Sequence, residues 1–135
     1  MEVFLEPTTL VTNDCKKNTK TAFKKQNEEV CGFICFEDGE FNVVEVENMA
    51  EDKSSEFYIS AKSFLYTKQN NNLVAVFHSH PSGNEELSKY DKTCSEATCI
   101  PFVVFSNKTR KFSIYEPEFL DAEKELIEKM KGELC

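Results

Sequence analysis

The stretch Val74–Asp91, VAVFHSHPSGNEELSKYD, decides how this chain is read. Together with Leu73 it opens on the apolar run Leu73-Val74-Ala75-Val76-Phe77, whose length and β-branched content predict a buried strand. The run enters His78-Ser79-His80 and is stopped by Pro81, Ser82 and Gly83, all strong turn formers. The chain has two histidines, and both lie here. Side chains alternate faces along a strand, so His78 and His80 point one way and Ser79 the other. Ser88 is a good N-cap for a short helix from Lys89 to Cys94, with Asp91 near its third position. A strand, a turn and a helix start would bring Asp91 back over the two imidazoles. Two neutral nitrogens and one carboxylate, with a fourth position open, form the ligand set of a catalytic zinc rather than a structural one. The expectation is one Zn2+ per chain on His78, His80 and Asp91.

At 135 residues the chain reads as a single domain, 1–135, large enough for one core without staples. Hydrophobic residues make up 40% and charged residues 30%, the balance of a soluble globular protein. No run of eighteen apolar residues is present, so no membrane span is expected. Glu2 and Glu6 stand where a signal peptide needs positive charge, which predicts a cytoplasmic protein. The net charge of −8 argues against a nucleic-acid partner, since such proteins carry a basic footprint. The six cysteines include no CxxC, and a cytosolic chain of this size does not call for disulfides. Cys31, Cys35 and Cys99 read as small apolar core fillers, and Cys15 and Cys135 as surface thiols.

Outward from the central stretch, Val30–Phe36 is continuously apolar and predicts a central strand. Glu37-Asp38-Gly39-Glu40 is a hairpin signal, and Phe41–Glu47 alternates as a half-exposed partner. Val3–Val11 reads as a first short strand or an ordered arm, and Asn13-Asp14 caps a helix over 15–26. Glu56–Ile59 is strand-like. Ser60 caps a helix that Asn70-Asn71-Asn72 ends. Ile100–Ser106 and Lys111–Tyr115 predict a second hairpin. Pro117 opens a last helix, Glu118–Lys131, which Gly132 closes. The sum is an α+β, or mixed α/β, domain of five or six strands and about three helices.

A hydrolytic zinc also needs a base. Among 24 acidic residues, position singles out the pair Glu28-Glu29 at the mouth of the buried strand that follows. His78-x-His80-Pro81, six residues, then Ser88-x-x-Asp91 resembles the motif of the JAMM (MPN-plus, JAB-domain) metalloproteases. The resemblance spans roughly Glu28–Tyr115. It implies a curved, mostly antiparallel sheet flanked by helices, the cytidine-deaminase-like JAMM fold. Members of that family carry their base in the pattern Glu-x-x-Gly-apolar. Glu29-Val30-Cys31-Gly32-Phe33 matches this register and Glu28 does not. By that resemblance Glu29 works on the water at the metal, Ser88 helps stabilise the oxyanion, and His78, His80 and Asp91 bind zinc. Ser79 and Ser82 read as turn or supporting groups.

The implied activity is that of a zinc peptidase or isopeptidase acting on a protein or peptide. The short layout looks more like bacterial and phage members, among them the JAMM domains of phage tail assembly proteins. Candidate substrates are ubiquitin-like or sulfur-carrier conjugates and peptidoglycan or phage tail peptides. Two alternatives stand beside it: an inactive MPN scaffold, or a RadC-like protein acting with DNA, against which the acidic charge weighs.

Overall fold

The computed structural model describes residues 8–11, 28–52 and 57–134. The elements run β1 (Thr8–Val11), β2 (Cys31–Glu37), β3 (Glu40–Val46), α1 (Ala61–Asn70), β4 (Leu73–His80), α2 (Lys89–Thr98), β5 (Phe102–Ser106), β6 (Phe112–Tyr115) and α3 (Lys124–Leu134). One six-stranded sheet has the order β1-β3-β2-β4-β5-β6. Every pairing is antiparallel except β4–β5. This is the mixed α+β architecture expected from the sequence.

Local chemistry explains most of these elements. Asp38 and Gly39 both take positive φ, 53° and 79°, the turn that matches the twist of a two-residue hairpin. Ser60 caps α1 by accepting from the Ser63 N–H at 3.1 Å. The helix α2 carries the chain between the parallel strands β4 and β5, a connection that two-residue turns cannot make. The sheet buries both faces. On one lie Ile34, Val43, Phe77 and Phe105, covered by Ile127, Met130 and Leu134 of α3. On the other lie Cys31, Phe33, Val76 and Phe102, against which Phe64 of α1 and Cys94 of α2 pack. Burial pushes the Cys31 and Cys35 thiols up to about 12, so both stay protonated core groups.

Five expectations need correction or bounding. Phe41–Val44 is buried throughout rather than half-exposed, because both faces of the sheet are covered: Phe41 and Val43 pack into one core and Val44 into the other. Phe57–Ile59 is irregular, its backbone engaged by the polar loop after β3. Cys99 is no core filler: it ends α2 in the left-handed conformation, φ 60°, partly exposed. The last helix starts at Lys124 rather than Glu118, since the Glu118 N–H donates to Glu96 and the Asp121 N–H to the Cys99 carbonyl. It also runs through Gly132. The helix expected over 15–26, the stretch before Thr8, and Cys15 and Cys135 fall outside the described residues.

Candidate metal centre

The register of the sheet assembles the site. In β2–β4 pairing, Cys31 faces His78 and Gly32 faces Phe77. The same register continues past the start of β2, where the Ser79 N–H donates to the Val30 carbonyl at 2.8 Å. Two residues before β2, Glu29 therefore arrives beside the end of β4 that carries His78 and His80. One ligand atom from each of Glu29, His78 and His80 lies within 4.8 Å of the others. Glu29 and His78 are buried, and His80 is half-buried.

Asp91 reaches the cluster through His78. Its Oδ2 lies 3.3 Å from His78 Nε2. Asp91 sits in the first turn of α2, where a reciprocal cap fixes it: Ser88 Oγ accepts from the Asp91 N–H, and Asp91 Oδ2 accepts from the Ser88 N–H, both at 3.0 Å. Ser88 is exposed. Its oxygen is committed to the helix, but its own hydrogen is left to donate outward.

His78 is fully buried; its Nδ1 has no hydrogen-bond partner, and its Nε2 faces only the Asp91 carboxylate, 3.3 Å away. Phe57 stacks on the ring, centroids 4.2 Å apart and planes 21° apart. Burial lowers the His78 pKa against the opposing pull of Asp91, so the imidazole is neutral at pH 7. Burial pushes the Asp91 carboxyl up, but contact with His78 and the Ser88 N–H outweighs it and brings the group to about 2. At neutral pH the pair is a neutral imidazole and a carboxylate, the protonation states a metal requires. His80 Nδ1 lies 2.7 Å from the Asn84 carbonyl oxygen. That contact selects the tautomer with hydrogen on Nδ1 and leaves Nε2 as the free lone pair.

These residues fit a divalent metal ion on chemical grounds. A buried imidazole whose Nδ1 has no partner and whose Nε2 meets only a carboxylate edge costs about 1–3 kcal/mol unless something satisfies it. Ligands about 2.0–2.1 Å from a tetrahedral ion lie about 3.3 Å from each other, which matches the His78–Asp91 separation. The structure thus brings Glu29, His78 and His80 together, joins Asp91 to His78, and puts Ser88 at the start of α2.

Two supports had no signal in the sequence, and a third, Ser79, reads there only as a turn or supporting group. Phe57 reads there as a core aromatic on a short strand, and Asn84 as a loop residue. Ser79 does face away from the imidazoles, but it is fully buried and its Oγ accepts from the Val30 N–H at 3.0 Å. It ties the chain just after Glu29 to the strand bearing the histidines. Phe57 acts by ring stacking, Asn84 through its own carbonyl and Ser79 on a backbone N–H far along the chain, contacts that residue type does not reveal.

Residues 17–118 match the family described as prokaryotic homologs of the JAB domain. Tail tip assembly protein K of Escherichia phage N15 is 24% identical over 78 residues, which is 58% of this chain and 32% of that protein. The chain therefore spans about a third of the length of that relative. The solution structure of protein DSY2949 from Desulfitobacterium hafniense superposes with a TM-score of 0.53 at 16% identity, covering 82% of this chain and 92% of that one. That likeness is one of fold.

Proposed function

We propose, from the premise that this chain belongs to the family of prokaryotic homologues of the JAB domain, that it is a zinc-dependent peptidase or isopeptidase. The observation that carries the reading is the buried imidazole of His78, its Nδ1 without a partner, set between Asp91 and the Glu29–His80 pair. His78, His80 and Asp91 would hold the ion. When bound, zinc supplies an acidified water and a Lewis acid for the substrate carbonyl.

The chain's own groups do the rest. Glu29 takes the proton of the attacking water and returns it to the departing amine. The Ser88 hydroxyl donates toward the carbonyl oxygen as negative charge develops there. His80 stays in one tautomer because Asn84 holds its Nδ1. Phe57 covers His78 and keeps bulk water from that ring. A serine-nucleophile mechanism has no base left, since both histidines are committed to the ion. The likeness to a tail tip assembly protein supports a phage tail or peptidoglycan stem peptide as substrate, beside ubiquitin-like and sulfur-carrier conjugates.

The test joins metal analysis to one substitution. The purified protein should carry about one zinc per chain. Glu29→Gln should retain it, while hydrolysis of a responsive substrate falls ~10²–10⁴-fold, the range for removing a general base. Stem peptides and ubiquitin-like conjugates are screened in parallel. Unchanged turnover in Glu29→Gln removes that residue from the chemistry. A protein that takes up no zinc turns the reading to a scaffold.

A further inference from the structure

We propose that Asn48 is a positioning residue that locks Glu29 and the Phe57 ring over His78 into one unit. For the role of Glu29 the inference rests on the hydrolytic reading above; the clamp itself rests on geometry alone. Asn48 lies two residues beyond β3 and is buried. Its Nδ2 donates to the Glu29 carbonyl at 2.7 Å. Its Oδ1 accepts from the Ala50 N–H and the Tyr58 N–H, each at 3.0 Å. The amide can sit only this way round, because a flip would set its NH2 against two N–H donors and its oxygen against a carbonyl.

A second contact closes the unit: the Met49 N–H donates to the Tyr58 carbonyl at 2.8 Å. Tyr58 is thus held on both sides of its backbone. Phe57, its neighbour, is held with its ring stacked on His78. On the opposite side of the same carboxamide stands the backbone of Glu29. One side chain therefore spans the base and the cover of the buried imidazole. Only a group with a donor at one end and an acceptor at the other can do this. Aspartate keeps the acceptor and loses the donor; alanine loses both.

Those two substitutions separate the two halves of the clamp. The chain has two histidines, so its imidazole NMR spectrum reports two side chains. In the metal-free full chain, Asn48→Ala should move the His78 ring protons downfield as the Phe57 stack is lost, and shift the Glu29 carbonyl carbon as well. Asn48→Asp should shift the Glu29 carbonyl and leave the His78 ring in place. In the zinc-loaded protein, Asn48→Asp should lower kcat by about tenfold or more through misplacement of Glu29, with KM within about twofold. Adding Asn48→Asp to Glu29→Gln should cause no loss beyond that of Glu29→Gln alone, since both changes act on one group. An unmoved His78 ring in Asn48→Ala, or losses that multiply in the double variant, overturns the proposal. If Asn48→Ala does not fold, Asn48→Asp decides: a shift at Glu29 with His78 still supports the clamp, and any other pattern overturns it. If no substrate is hydrolysed, the spectra still decide the clamp while the hydrolytic reading falls, so the two failures are told apart.

Discussion

Gly32 shows how a single residue sets the position of the base without touching it. A Cβ at this position would stand 2.1 Å from the Val44 carbonyl oxygen and 3.0 Å from the Glu45 Cα. Both are backbone atoms of the neighbouring strand, so no rotamer change can relieve the clash. The glycine lets β2 and β3 approach closely just three residues after Glu29. Gly32→Ala must therefore push the strands apart or strain the ladder at Gly32↔Glu45. The expected outcome is a loss of about 1–3 kcal/mol, the range for forced overpacking of a core, read by urea denaturation. Hydrolysis should fall along with it, because the β2 start that carries Glu29 moves. A Gly32→Ala protein of native stability would remove the close approach as the reason for glycine. By the family resemblance this residue marks the base, whereas the structure supplies a steric reason for it.

At the scale of elements, legibility followed where each backbone group finds its partner. The β2–β3 hairpin, α1, β4 and the start of α2 could be read because their signals are local: Asp38-Gly39, Ser60, Pro81 to Gly83, Ser88 with Asp91. The start of α3 could not, because Glu118 and Asp121 give their N–H groups to Glu96 and Cys99, about twenty residues back. The apolar stripe of α3 is instead fastened to the sheet face, and its polar side to Glu116. Lys124 Nζ reaches Glu116 Oε1 at 2.6 Å and Lys131 Nζ reaches Oε2 at 2.8 Å. Contact with these lysines holds the Glu116 carboxyl below its ordinary range. The sign follows: the stability this group contributes is present above the ordinary carboxyl range and lost as pH falls through the lowered folded value. Glu116→Gln should cost about 0.2–1 kcal/mol at pH 7, the range for partly exposed ion pairs, with the smaller value in high salt. As pH is lowered through the carboxyl range, the urea midpoints of Glu116→Gln and the parent should converge. A gap that persists unchanged into acid would mean the pair is not what fastens α3 there.

For the molecule as a whole, the site lies where three elements meet at one end of the two central strands: the start of β2, the end of β4 and the start of α2. The motif singles out Glu29, His78, His80, Ser88 and Asp91 in the sequence, and the structure groups Glu29, His78 and His80 and joins Asp91 to His78. The frame around them is less legible, since Asn48 and Phe57 reach them across folds of the chain and Asn84 acts through its backbone carbonyl rather than its side chain. Among the described residues no helix is long and apolar enough to cross a membrane. The arrangement has a thermodynamic consequence. A buried imidazole whose Nδ1 has no partner and whose Nε2 meets only the Asp91 carboxylate penalises the metal-free fold. An ion that binds only the folded chain offsets that penalty and adds RT ln(1 + [L]/Kd), about 2.7 kcal/mol at a hundredfold excess over Kd. For a chain of this size that should raise Tm by about 5–10 °C on zinc addition and lower it again with a chelator. His78→Leu separates the two contributions, because it fills the space beneath Phe57 without a polar atom. Its metal-free form should melt at or above the metal-free parent, and zinc should no longer raise Tm. If zinc lifts the melting of His78→Leu as much as that of the parent, the ion binds elsewhere, and the hydrolytic assignment falls with the centre. If metal-free His78→Leu instead melts well below the parent, His78 is a satisfied structural residue, and its unpartnered Nδ1 loses its meaning as a metal signature.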